Sequence, residues 1–245
     1  MTTLAAPMPV AHTQASAQQP TAEARAGWGT LYRIAGFAAL LVVALVPLQM
    51  AVFVFWPPPT AVAGWFELFR MNPVVGILDL DLLLIVDYVL LVLVFLALFV
   101  ALRHASPSLG AIFVALQLVA AATYFASATA FEMLAASDLY WAASSDAERA
   151  LALAVGQVML LTWQGTTFGI SYVLSGSAML IAAVAMLRSG LFARRTAYIG
   201  VAGGLLSIVP ATAGTVGLVS SLASLIPLWA WLLLTGRALL RMPRV

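Results

Sequence analysis

Polar positions are so sparse along this chain that the gaps between them mark the elements. Apolar runs cover residues 31–56, 74–102, 109–133, 150–187, 197–219 and 222–240, and each approaches or exceeds the roughly 20 residues that a helix needs to cross a bilayer. None alternates with the period of two expected of a half-buried strand. The pattern predicts an all-α, polytopic membrane helix bundle of six transmembrane helices, plus an extra interfacial or membrane-embedded helix near residues 146–165. Residues 1–27, rich in Ala, Thr, Gln and Pro without an apolar run, read as a disordered cytoplasmic tail. Residues 28–245 form the transmembrane helical domain.

Local signals refine these spans. Pro47 interrupts the first, and Trp56-Pro57-Pro58-Pro59 ends it with an aromatic ring at interface depth. Trp65-Phe66-Glu67-Leu68-Phe69-Arg70-Met71 is short and amphipathic, as expected of a helix lying along the membrane surface. Asn72-Pro73 starts the next helix. The run 74–102 would rise about 43 Å as one helix, against a hydrocarbon core of roughly 30 Å, so Asp79 and Asp81 are expected near the headgroups. After the third span a loop is expected around Glu132, Asp138, Asp146 and Glu148, with Tyr140-Trp141 as an interfacial anchor. The run 150–187 would reach about 57 Å, which tilting cannot absorb. Gly165-Thr166-Thr167-Phe168-Gly169 is its natural break, giving a helix over 146–163 and a span over 167–187. Pro210 lies inside the fifth span, and Ser220-Ser221 marks the turn into the sixth.

Composition agrees. The chain is 64% hydrophobic and 8% charged, where soluble domains carry roughly 25% charged residues. All eleven basic side chains are arginines. With both termini in the cytoplasm, nine arginines fall inside and only Arg70 and Arg149 outside, in line with the positive-inside rule. Zero lysines and a single asparagine, beside abundant Ala, Arg, Gly and Pro, point to a GC-rich gene and a bacterial plasma membrane. The absence of cysteine excludes disulfide and thiolate chemistry, and His12 and His104, both outside the apolar cores, argue against a histidine-ligated intramembrane haem. No cofactor is expected, and nucleic acid is not an expected partner.

The chemistry-bearing residues cluster in the second span: Asp79, Asp81, Asp87 and Tyr88. An ionised carboxylate at bilayer depth costs on the order of 3 kcal/mol, so it faces a cavity, pairs, or takes up a proton. On one continuous helix Asn72, Asp79 and Asp87 share a broad face. Two polar stripes at helical spacing accompany them: Gln117, Tyr124 and Ser127 in the third span, and Gln157, Gln164, Thr167, Ser171 and Ser175 in the long run. They serve either as helix-to-helix hydrogen bonds or as the lining of a polar pocket with Asp87 at its floor. Gly200 and Gly204 form a Gly-x-x-x-Gly packing pattern. The metal-protease, nucleophile-elbow and phosphate-loop patterns are absent, and Ser175-Gly176-Ser177 has no histidine in any span to act as its base.

Leu180-Ile-Ala-Ala-Val-Ala-Met-Leu-Arg-Ser-Gly-Leu-Phe-Ala-Arg-Arg195 resembles a stretch of a bacterial membrane family, domain of unknown function 4386. In that family an Arg-Ser-Gly turn, a nearby basic residue and a glycine-rich helix recur, matching Arg188-Ser189-Gly190, Arg194 or Arg195, and Gly200 to Gly204. Phe69-Arg70 ahead of Asp79 to Asp87 is similar to the family's entry into its second helix, with a longer spacing here. The resemblance spans about residues 28–240. It implies a six-helix layout and brings no activity or catalytic residues.

Two functions therefore compete, ahead of an enzyme of unrecognised type, which the missing motifs disfavour. One is an accessory or structural membrane subunit acting through helix contacts, whether with a second copy or with another membrane protein in the lipid bilayer. The other is a small-molecule or proton-coupled binder or transporter with its carboxylate site at Asp87. A roomy pocket containing Asp87 favours the second, and tight packing with apolar outer grooves favours the first.

Overall fold

A computed structural model describes residues 27–80, 82–210 and 213–242 of the chain. All but the last residue of the expected tail, and the candidate Asp81, lie outside the described residues. The described residues form ten helices and no strand: α1 Gly29–Phe55, α2 Val62–Met71, α3 Pro73–Asp79, α4 Leu82–Leu102, α5 Pro107–Ser127, α6 Ala130–Ala142, α7 Asp146–Trp163, α8 Thr166–Ser189, α9 Arg194–Leu206 and α10 Gly214–Leu240. Among the described residues five helical stretches are long and apolar enough to cross a membrane: α1, α4, α5 with α6, α7 with α8, and α10. The all-α class holds, and the five stretches are compatible with a multi-pass membrane protein. Large apolar side chains such as Phe55, Val216 and Ile226 stand exposed on the outer surface, an arrangement suited to lipid.

The count of six spans does not follow from these helices. The expected fifth, over 197–219, is split. Pro210 has no N–H to offer the carbonyl of Leu206, and its ring clashes with that carbonyl, so α9 stops at Leu206 after 13 residues. The Ser220 hydroxyl donates to the freed Leu206 oxygen at 2.7 Å. Ser220 and Ser221, expected in a turn, therefore lie inside α10. The run 74–102 is likewise interrupted. It breaks at Leu80, whose φ and ψ of −87° and 37° leave the helical region, and this relieves the excess length. Helix α6 occupies the stretch where a loop was expected, after a break at Ala128 and Thr129. The long run 150–187 does divide where its glycines lie, with Gly165 extended at φ −84° and ψ −165°. Its first helix begins at Asp146 because Ser145 and Glu148 form a capping box.

Two packed layers result. In the larger, α1, α4, α5, α8, α9 and α10 meet around Phe95, Phe113, Met179 and Trp231. In the smaller, α2, α3, α6 and α7 enclose Trp65, Phe66, Phe69 and Met133. The amphipathic face of α2, expected against lipid, is thus buried by other helices of the same chain.

Glycines set the closest approaches. A Cβ on Gly204 would lie 2.7 Å from the Cβ of Leu180 and 2.9 Å from the Gly176 carbonyl oxygen, so the Gly-x-x-x-Gly face packs against α8. Gly36 and Gly236 bring α1 and α10 together in the same way, each Cβ position about 3 Å from the other's carbonyl oxygen. Seven residues further along each of these antiparallel helices, the Trp229 indole N–H donates to the Val43 carbonyl oxygen at 2.6 Å. That carbonyl lost its helical donor to Pro47, which stands four residues on.

Two expectations follow. Gly204→Val should lower stability by about 1–3 kcal/mol, the range of overpacked cores, whereas Gly29→Ala, with open space around it, should stay within roughly 0.5 kcal/mol of the parent. Thermal unfolding in detergent measures both, and equal midpoints for the two variants would contradict the packing. Trp229→Phe should cost about 1 kcal/mol, since it strands a carbonyl, and much less in a Pro47→Ala background, where residue 47 regains its N–H. A double-mutant cycle reads that coupling; additive effects would rule it out.

Candidate functional site: a cavity around Asp87

Helix α4 is apolar around its whole circumference, so Asp87 and Tyr88 are its only polar side chains. Both turn inward, with Asp87 only 4% exposed. Asp87 stands in the second turn of α4, about 24 Å along the axis from Arg103 just beyond its other end.

Asp87 lines a cavity of about 130 Å³ between α1, α4, α8, α10 and the end of α9. An engineered apolar cavity of roughly 150 Å³ holds a benzene molecule, so this space suits a small organic ligand. Val42 and Val46 come from α1; Leu91 and Phe95 continue the α4 wall; Tyr172, Ser175, Gly176 and Met179 come from α8. Ser207 closes the side where α9 stops, and Ser224, Leu228 and Trp231 come from α10. Gly176 is required here, since a Cβ on it would meet the Ser207 Cβ at 2.4 Å.

Hydrogen bonds tie the polar lining together. Tyr88 Oη donates to Ser171 Oγ (3.2 Å), and Ser171 Oγ donates to the Phe168 carbonyl (2.7 Å). Tyr172 Oη lies 2.6 Å from Ser224 Oγ, which itself donates to the Ser221 carbonyl (2.7 Å). Ser175 Oγ donates to Gln117 Oε1 (2.9 Å). Tyr124 stacks on Tyr88 with ring centroids 4.3 Å apart and planes within 8°. Asp87 stands apart, for its Oδ1 is buried without a hydrogen-bond partner among the described residues.

The sequence-derived candidates divide accordingly. Asp87 and Tyr88 line the cavity, while Gln117 and Tyr124 form the layer behind it, with Ser127 on the same buried face. Asp79 is displaced from them, because the break at Leu80 removes the face it was expected to share with Asp87. It is fully buried within the protein, with both carboxyl oxygens lacking a partner among the described residues. Asn72 caps α3, its Oδ1 accepting from the Val75 N–H at 3.2 Å. Gln157 and Gln164 are exposed, on α7 and at its end, away from the cavity. Their stripe was drawn through a single helix, and the Gly165 break leaves only Ser171 and Ser175 of it beside the site.

Sequence reasoning missed Tyr172, Ser207, Ser224 and Trp231. Tyr172, Gly176 and Met179 recur at spacings of four and three, a signal submerged in an apolar run. Ser207 is brought in by the end of α9, which Pro210 imposes three residues further on. Among the described residues no group of three or more His, Cys, Asp or Glu is placed to hold a metal ion.

No curated protein and no solved structure matches the chain. A family model described as a domain of unknown function (DUF4386) matches residues 78–241, which takes in every cavity wall except that of α1. More than half of the chain is matched, and the protein belongs to the DUF4386 family.

Proposed function

We propose that this is a membrane protein that binds a small molecule in the Asp87 cavity, either to carry it or to respond to it. The observation that carries this reading is a carboxyl group buried at the wall of a benzene-sized cavity with no partner for Oδ1 among the described residues. Burying such a group costs free energy unless something compensates it, and intramembrane carboxyls usually face a pathway or a bound ligand. The competing role, a subunit acting through helix contacts, was motivated by the glycine-rich helix. Gly200 and Gly204 are spent against α8 and Trp231, and Gly36 against α10, so those faces are occupied within the chain.

The arrangement favours an orientation with the arginine-rich end in the cytoplasm. Arg103 lies over the Trp28 ring, 5.5 Å from its centroid, so the end of α4 and the start of α1 share one side of the bundle. Leu240 packs at Gly36, which brings Arg237 and Arg241 there as well. Arg70, 4.1 Å from the centroid of the Trp141 ring, belongs to the smaller layer. A bacterial inner membrane with cytoplasmic termini satisfies the positive-inside rule for this distribution.

Val46→Phe should fill the cavity from the α1 side. Small molecules that raise the unfolding midpoint of the parent protein in detergent should lose that effect in Val46→Phe, since ligands stabilise the state they bind. A broad screen in which no compound distinguishes the two proteins would refute the binding role. For the orientation, single cysteines are introduced into the naturally cysteine-free chain. Ser108→Cys should label only from the cytoplasmic side, and Thr60→Cys and Ser144→Cys only from outside; the reverse pattern would invert the topology.

A further inference from the structure

We infer that the ligand of the Asp87 cavity is a small organic cation, an amine carrying its positive charge on nitrogen beside a short apolar body. This rests on the cavity being a binding site, as proposed above, and deepens it by naming the chemical class.

The inference comes from an account of every hydroxyl proton in the lining. Tyr88 gives its proton to Ser171, and Ser171 gives its own to the Phe168 carbonyl. Ser224 gives its proton to the Ser221 carbonyl, so in the 2.6 Å pair with Tyr172 the tyrosine must be the donor. Ser175 donates to Gln117, and Ser207 to the Gly203 carbonyl at 2.9 Å. A hydroxyl carries one proton and two lone pairs. All five hydroxyls in the wall have therefore spent their protons inside the protein, and those of Tyr172, Ser175, Ser207 and Ser224 retain acceptor capacity. The indole N–H of Trp231 has no partner among the described residues, but the edge of the ring that carries it abuts Gly200 of α9. The hydroxyls of the wall thus offer hydrogen-bond acceptors and withhold donors, so that only a protonated Asp87 would present an O–H to the cavity. A ligand that needs donors, such as a carboxylate, a phosphate or a ketone, finds none among these hydroxyls, whereas an ammonium group brings its own and meets Asp87 as a carboxylate.

Charge points the same way. Among the described residues Asp87 is the only acidic or basic one in the lining and no arginine reaches it, and the chain has no lysine. Helix α9 ends at the cavity, with Ser207 as its C-cap, and the C-terminal end of a helix carries roughly half a negative charge. The rings of Tyr88, Phe95, Tyr172 and Trp231 complete the wall, and aromatic walls around a carboxylate attract organic cations through the ring quadrupole. A hard metal ion would want six or more oxygen ligands, which a mostly apolar lining does not supply. The apolar body of an amine would lie against Leu91, Met179 and Leu228.

The test uses three molecules of nearly the same shape, isobutylamine, isobutanol and isobutyrate, titrated against the full-length protein in detergent and followed by saturation-transfer NMR. At neutral pH they are a cation, a neutral donor and an anion. Isobutylamine should bind at least about tenfold more tightly than either of the others, a modest demand for a charge facing a desolvated carboxylate. Asp87→Asn should reduce its affinity by about tenfold or more while moving isobutanol by less than about threefold. The ranking on the parent protein stands even if that variant fails to fold. Isobutanol or isobutyrate binding as well as the amine, with binding lost in Val46→Phe, would overturn the cation class and leave the cavity reading intact. If none of the three responds to Val46→Phe, both fall. Amine binding unchanged in a folded Asp87→Asn protein would also overturn the inference.

Discussion

Inside a bilayer no water is available for a backbone group that loses its helical partner, so each interruption of a helix must bring its own replacement. This chain interrupts its helices often, and its polar side chains are placed where the interruptions fall. The Trp229 indole satisfies the carbonyl that Pro47 strands on Val43. Gln49 Nε2 donates to the Leu78 carbonyl where α3 gives out (3.3 Å), and Ser220 serves Leu206 where α9 stops. Thr129, at the break between α5 and α6, donates to the Met159 carbonyl (3.2 Å). The placement of short helices against long ones depends on these exchanges, and so does the cavity, because it exists only where α9 ends before crossing.

The same constraint explains why the two layers differ. The larger is held by glycine-mediated approach and aromatic packing around Phe95 and Trp231, whose ring centroids are 5.9 Å apart. The smaller is held by bulky rings, with Trp65 edge-on to Trp163 at 5.7 Å, and by Ser137 and Trp141, which both donate to the Phe66 carbonyl. The buried carboxyls separate along this line, Asp79 in the helix α3 that joins the smaller layer and Asp87 at the cavity of the larger.

Much of the architecture could be read from the residues, and the errors share a cause. Apolar run lengths gave the all-α class, and paired glycines located the break at residue 165, because those signals are local. Asp87 could be singled out because a carboxylate amid Leu, Ile and Val has few reasons to be there. Gln157 and Gln164 misled because a stripe drawn at helical spacing assumes that the helix continues, and one extended residue cancels the assumption. The same reasoning misplaced Asp79, since the break at Leu80 carries no proline or glycine to announce it. Tyr172, Ser224 and Trp231 were illegible because a membrane helix is apolar on its lipid side as well as its inner side, so periodicity no longer separates the two.

The seam between α1 and α10 has a consequence for how this chain can vary in length. Its two fixed points, Gly36 with Gly236 and Val43 with Trp229, are separated by seven residues on each helix. Seven residues turn a helix through nearly two full revolutions, so both contacts fall on one edge of each partner. Inserting or deleting one residue between them would swing the second contact through about 100° and move it about 1.5 Å along the axis. The Val43 carbonyl would then face away from the indole. Exchange of the intervening side chains leaves this registration intact, and a change in their number does not.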